Sequence, residues 1–178
     1  EMLRSLVGSE MCIRDRFQEY GNLLILRTCS KAFGMAGLRL GFAVGRKELV
    51  DAVKAVKSPY NVNRLSQALG TLVLEHPPLL GEALETILAS KKQLVEGLEA
   101  LLKEFPSRFT LLPSATNFAS LRLPDGEGLH HFLGRQGISV RYTAGLVRIT
   151  CGTPEENRAV LGEMASYFAA APAAEEGR

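Results

Sequence analysis

The residues that most constrain this chain are Thr28-Cys29-Ser30-Lys31-Ala32-Phe33-Gly34-Met35-Ala36-Gly37-Leu38-Arg39-Leu40-Gly41. One apolar run, Leu23-Leu24-Ile25-Leu26, enters the stretch, and another, Leu40-Gly41-Phe42-Ala43-Val44, leaves it. Short apolar runs bounded by turn residues predict a strand on each side of a loop. Glycines at 34, 37 and 41 let that loop turn tightly and approach a ligand closely.

The loop holds an amine, a guanidinium and two hydroxyls. A lysine amine such as that of Lys31 condenses with an aldehyde to give a Schiff base, best where burial or a nearby cation lowers its pKa. Arg39 keeps its charge and offers a planar fork of donors suited to a phosphate dianion. Thr28 and Ser30 add hydroxyl donors for the same oxygens. Aldehyde and phosphate in one small molecule describe pyridoxal 5'-phosphate. A loop lysine is more often a solvated surface charge, and a lone lysine–arginine pair would not separate the two readings.

The longer segment is more specific. Arg27-Thr28-x-Ser30-Lys31-Ala32-Phe33-Gly34-x-Ala36-Gly37-Leu38-Arg39-x-Gly41 resembles the cofactor-lysine signature of class I/II aminotransferases, the fold-type-I pyridoxal-phosphate enzymes. Within that family it is most similar to the histidinol-phosphate aminotransferases. The resemblance implies an α/β fold, the C-terminal part of the fold-type-I large domain followed by an α+β small domain. It implies that Lys31 is catalytic and bonds to the cofactor, that Thr28 and Arg39 hold the cofactor phosphate, and that Ser30 belongs to the same cofactor-binding set. Lys31, once released by the incoming amino acid, would then shuttle the proton of the substrate α carbon.

Composition narrows the alternatives. A chain of 178 residues, 46% hydrophobic and 22% charged, can bury a real core, and its net charge of +2 gives no reason to invoke a nucleic-acid or membrane partner. Cys12, Cys29 and Cys151 are widely spaced and odd in number, which gives neither a disulfide framework nor metal-ligand spacing and makes a reducing cytoplasm the default. His130 and His131 are adjacent, so a helix points them apart, and no metal site is expected.

Along the chain, Glu1–Arg16 shows no sustained period and resembles a translated sequencing adapter, so it is set apart as a non-native leader. Phe17–Asn22 reads as a helix end closed by glycine. Leu49, Val50, Val53 and Val56 recur at helical spacing until Ser58-Pro59, and Leu65, Ala68, Leu69, Leu72 and Val73 form a second apolar stripe. Between them, Pro59-Tyr60-Asn61-Val62-Asn63 also resembles the histidinol-phosphate aminotransferases, although Tyr60 and Asn61 read on composition as packing and turn residues. His76-Pro77-Pro78 is the expected hinge, dividing a large-domain part (17–76) from a small domain (77–170), with a frayed tail (171–178).

The second part predicts a long helix to about Glu104 with Leu94, Leu98, Leu101, Leu102 and Phe105 on one face. Strands follow at Phe109–Leu112 and Asn117–Leu123, a helix with Leu129, Phe132 and Leu133, and strands at Ile138–Arg141 and Leu146–Thr150. A last helix opens at Thr153-Pro154-Glu155-Glu156, a capping box, and packs through Val160, Leu161, Met164 and Phe168.

Gly145–Asn157 resembles the family's carboxylate-binding strand and the helix start after it. The resemblance implies that Arg148 makes a bidentate salt bridge to the substrate α-carboxylate and that Arg141 meets a substrate phosphate. By simple alternation either arginine could instead point to solvent. Asn117 matches a family motif near the active site and joins the substrate-binding candidates.

The turn between Arg141 and Arg148 is shorter than in histidinol-phosphate aminotransferases, and no aspartate for the cofactor ring nitrogen lies between Phe17 and Lys31. The resemblance, over about Gln18 to Phe168, therefore implies a fragment without the enzyme's N-terminal half, whose parent is a homodimer acting on amino acids and 2-oxo acids. Another fold-type-I enzyme, such as a phosphothreonine decarboxylase or a different amino-acid aminotransferase, and a non-catalytic remnant are the alternatives.

Overall fold

The protein, as a computed structural model, is described over residues 19–31 and 33–170, which leaves the leader at 1–16 and the tail at 171–178 outside the described residues. The described residues fall into two compact units that part between Leu84 and Glu85. The division falls within the helix that opens at Pro77, a first helical position where a missing N–H costs nothing.

In the first unit, β1 (Leu24–Thr28) and β2 (Gly41–Gly45) pair antiparallel, with Thr28 opposite Gly41. Helices α1 (Lys47–Val56) and α2 (Arg64–Glu75) follow. Asn63 caps α2, its Oδ1 accepting from the Ser66 N–H at 2.8 Å. The apolar stripe expected of α2 is not its buried face: Leu65 is 67% and Leu72 51% exposed, whereas Ser66 and Gly70 are buried. Small residues take that face because the loop before β2 lies against it. The Ser66 hydroxyl donates to the Leu38 carbonyl at 2.9 Å, and a Leu40 methyl fills the space a side chain at Gly70 would need. Tyr60, expected to pack, is 91% exposed.

Helix α3 (Pro77–Glu104) runs from the first unit into the second. The second unit then carries β3 (Thr110–Leu112), β4 (Phe118–Arg122), α4 (Gly126–Arg135), β5 (Arg141–Thr143), β6 (Leu146–Thr150) and α5 (Pro154–Ala170). Its strands form an antiparallel sheet in the order β3-β4-β6-β5. Alternation sends Ala119, Leu121, Val147 and Ile149 to one side, where they join Leu94, Leu98 and Leu101 of α3, Leu129 and Leu133 of α4, and Val160, Met164 and Phe168 of α5. The capping box of α5 forms as its residues predict: Glu156 N–H donates to Thr153 Oγ1 at 3.2 Å, and Glu156 Oε2 accepts from Thr153 N–H at 2.7 Å. Among the described residues no helix is long and apolar enough to cross a membrane.

Strand β5 begins later than the apolar pattern Ile138–Val140 predicts. Gly137, at φ +77, turns the chain out of α4, and Ile138 N–H bonds back to the Leu133 carbonyl at 2.9 Å. Ile138 and Val140 pack on the core as loop, and the strand is instead set from its other end by the turn Ala144-Gly145, φ +50 and +74. Positive φ at both central residues is the two-residue hairpin turn whose twist matches the strands. Alanine is poorly suited to that region. Ala144→Asn is expected to stabilise the protein by about 0.5–1 kcal/mol, measured by urea denaturation.

Asp125 caps α4 through Gly128 N–H (2.9 Å) and accepts the Tyr167 hydroxyl of α5 (2.6 Å). The Tyr167 hydrogen bond, then that from Gly128, holds the Asp125 carboxyl below its ordinary value, while burial and Asp125 push Tyr167 up to about 12. The depressed carboxyl contributes stability above the unfolded carboxylate pKa, roughly 3.9, and loses it as pH falls through the lower folded value. The raised phenol contributes below its unfolded value, about 10, and loses it as pH rises through the folded one. Asp125→Ala is expected to cost about 1 kcal/mol at neutral pH, and Tyr167→Phe to move the Asp125 titration upward by NMR.

Candidate functional site

The lysine loop is held by its neck. Thr28 pairs with Gly41, and beyond them Cys29 N–H donates to the Leu40 carbonyl at 3.0 Å. Cys29 is 2% exposed, and burial pushes its thiol up, so it serves as a small core residue. Ser30, Lys31 and Arg39 therefore leave a closed β-neck on one loop, with Lys31, Arg39 and Thr28 exposed and Ser30 half-buried. Thr28 Oγ1 accepts the Ser30 N–H at 3.1 Å, and Gly34, at φ +65, donates to the Lys31 carbonyl at 2.9 Å. A short 3-10 turn, Ala36–Leu38, ends in Arg39 at φ +51, and Arg39 Nη1 donates to the Ala36 carbonyl at 2.9 Å. The loop thus offers an exposed amine, a guanidinium fixed at one nitrogen and a threonine hydroxyl, a donor set that fits a phosphorylated aldehyde.

The loop depends on close backbone approach at the neck. A Cβ at Gly41 would lie 2.7 Å from the Arg27 carbonyl oxygen, a backbone atom that cannot move without parting β1 from β2. Gly41→Ala is expected to cost about 1–3 kcal/mol locally and to speed exchange of the Cys29 amide, read by hydrogen–deuterium exchange.

In the second unit the sheet face opposite the core carries the predicted arginines. Arg148 lies across from Ser120 on one side and Arg141 on the other. Cross-strand neighbours sit about 5 Å apart at Cβ and point the same way, so the shorter turn noted in the sequence brings Arg141 and Arg148 into one patch. Arg148 Cζ lies 3.8 Å above the Phe118 ring centroid, and its Nε is buried with no hydrogen-bond partner among the described residues. The four strands contain no aspartate or glutamate, and neither arginine makes an ion pair among the described residues. Like charges held opposite each other are unfavourable, and an anion between them would reverse the sign.

Two residues behind this face do not stand out as functional in the sequence. Lys91 of α3 is half-buried in the apolar register Ile87, Lys91, Leu94, Leu98, Leu101, and its ammonium meets the carbonyls of Ser114 (3.1 Å), Thr116 (2.7 Å) and Phe118 (3.0 Å). Burial lowers its pKa, and Cys151 acts in the opposite sense. Asn157 of α5 is 1% exposed. Its amide donates to Ser90 O (3.1 Å), Ser90 Oγ (3.0 Å) and Gln93 Oε1 (3.1 Å), and its oxygen accepts from Gly152 N–H (3.0 Å). The signal that could have found both is a polar residue in the apolar register of a helix, since a buried polar group must be paired. Asn117 is half-buried at the start of β4, its carbonyl accepting the Cys151 N–H at 3.0 Å.

A histidinol-phosphate aminotransferase of Clostridium kluyveri is 35% identical over 164 residues, covering 89% of this chain and 45% of the relative. That of Gloeobacter violaceus is 38% identical over 152 residues, covering 84% of this chain and 42% of the relative. The chain thus spans under half the length of these curated relatives. Among solved structures, the histidinol-phosphate aminotransferase of Clostridium acetobutylicum matches with a TM-score of 0.75 at 23% identity, over 88% of this chain and 48% of that one. The L-threonine-O-3-phosphate decarboxylase of Porphyromonas gingivalis matches at 0.76 and 23%, over 95% and 54%. At that identity these two show the fold, which is that of fold-type-I pyridoxal-phosphate enzymes. A family model described as aminotransferase class I and II matches residues 5–163, and the chain belongs to that family.

Proposed function

We propose that this chain is the C-terminal part of a pyridoxal-phosphate-dependent aminotransferase, the histidinol-phosphate transaminase of L-histidine biosynthesis, working in the cytoplasm as a homodimer. The observation that carries the reading is Lys31, exposed on a loop whose neck also presents the Thr28 hydroxyl and the Arg39 guanidinium. Thr28, Ser30 and Arg39 would hold the phosphate. When bound, pyridoxal 5'-phosphate supplies an aldehyde for amine exchange and a ring that accepts electron density from the substrate α carbon. Lys31 would provide the amine that holds the aldehyde and would carry the proton of the substrate α carbon. Arg148 binds the substrate carboxylate, with the Phe118 ring beneath it to fix the plane of its fork. Arg141 and Asn117 complete the substrate set.

A second reading within the same chemistry, a different amino-acid aminotransferase or a phosphothreonine decarboxylase, is favoured by the hairpin register. Arg141 directly opposite Arg148 concentrates both cations on one patch instead of spacing them for two distant anionic groups.

Reduction with borohydride after adding pyridoxal phosphate, followed by peptide mass spectrometry, tests the cofactor assignment. The label is expected on Lys31, with Lys31→Ala losing it, whereas equal labelling of Lys47, Lys54 and Lys57 would remove the basis for the proposal. The chain alone is expected to show little or no turnover. A longer product of the same gene should transfer the amino group between glutamate and the imidazole ketone phosphate. Turnover of aromatic or branched amino acids with none of histidinol phosphate would select the second reading.

A further inference from the structure

The loop from Pro113 to Asn117 is built around a cation that belongs to another element. Its carbonyls at Ser114 and Thr116, and that of Phe118 just beyond, converge on Lys91 Nζ at 3.1, 2.7 and 3.0 Å. An ammonium has three protons, so three carbonyls use its full donor capacity. The Ser114 hydroxyl, 3.4 Å from the same nitrogen, donates to the Phe118 carbonyl at 2.7 Å and accepts the Thr116 N–H at 3.3 Å, closing the loop upon itself. Without the ammonium the Ser114 and Thr116 carbonyls would lose the donor that gathers them, and the Phe118 carbonyl would keep only hydroxyl donors of its own loop.

What this loop delivers is the support of the arginine face. Asn117 ends it and binds the Cys151 N–H through its carbonyl, which ties the start of β4 to the end of β6. Phe118 follows at once, and its ring lies beneath the Arg148 guanidinium. A shift of Phe118 would move Arg148, whose Nε has no hydrogen bond among the described residues to hold it.

We propose that Lys91 is a positioning residue for anion recognition: its ammonium folds the 113–118 loop so that Phe118 and Asn117 set the plane and height of the Arg148 guanidinium. The proposal rests on Arg148 as the carboxylate-binding residue. Lys91 itself touches no substrate in this scheme. A cation built into the fold serves where a bound metal ion would otherwise gather the carbonyls.

The test uses the full chain with Lys91→Met, which keeps the length and removes the charge, Lys91→Arg, which keeps the charge, and Lys92→Met as the exposed neighbour. Amide exchange at Thr116 and Cys151, the Arg148 Nε–H signal by NMR, and titration with glutamate are measured on each. Lys91→Met is expected to speed exchange at those amides about tenfold relative to α5, to broaden or shift the Arg148 signal and to weaken the glutamate response about tenfold. Lys91→Arg is expected to recover part of each, and Lys92→Met to match the parent. Should Lys91→Met unfold, Ser114→Ala, which removes one support of the same loop, is expected to raise the same exchange rates more mildly. Unchanged Thr116 and Cys151 exchange and an unchanged Arg148 signal in a folded Lys91→Met protein would overturn the positioning role. An identical glutamate response in the parent and Arg148→Met proteins would overturn the carboxylate reading instead, and with it this proposal, while the ligand-free exchange still reports on the loop.

Discussion

The one-sidedness of the four-stranded sheet governs the second unit. Three helices cover one face through Leu94, Leu98, Leu129, Leu133, Met164 and Phe168, and the sheet meets them with Ala119, Leu121, Val147 and Ile149. Period-two alternation then leaves Ser120 and Arg148 no choice of side. The arginine face is a consequence of the core, because a slip of one residue in β6 would bury Arg148 and expose Val147 and Ile149. Burial of apolar surface worth about 25 cal/mol per Å2 thus fixes the direction of a charged side chain that contributes nothing to the core itself.

Register along the sheet has a different origin. Hydrophobic alternation tells which face a residue takes, but not which residue lies opposite it. The turn at Ala144-Gly145 decides that for β5 and β6, since a two-residue connection permits one pairing. Arg141 meets Arg148 for this reason, and a longer connection would let them separate. A deletion or insertion in the turn would therefore change the spacing of positive charge without touching either arginine.

Polar residues in apolar registers do the remaining organisation. Lys91 and Asn157 each stand in the apolar register of a helix: Lys91 is satisfied by the carbonyls of the loop that leads into β4, and Asn157 by Ser90 and Gln93 of α3 together with the Gly152 N–H after β6. Such groups are costly unless paired, which makes the paired geometry the only economical one. The first unit reaches a similar end by size instead of charge. Gly41 is small where the neck of the lysine loop needs room, and Ser66 and Gly70 are small where the loop lies on α2, so α2 buries Ser66 and Gly70 and leaves Leu65 and Leu72 outward.

Much of this is determined locally and was legible from the sequence. The strand–loop–strand around Lys31, the capping box at Thr153–Glu156 and the stripe from Leu94 to Phe105 each follow from neighbours a few residues apart, and each forms as written. The family followed from motifs of the same local kind. The start of β5, the buried face of α2, the exposure of Tyr60 and the roles of Lys91 and Asn157 were not legible in that way. The clearest of them depend on which distant atoms arrive beside a residue: the Leu40 methyl for Gly70, three loop carbonyls for Lys91, Ser90 and Gln93 for Asn157. Sequence by itself determined propensity, alternation and chemical inventory, because these are properties of short spans. Tertiary structure alone decided which polar groups are paired and which cations face each other, because desolvation and cross-strand register exist only once the chain has packed.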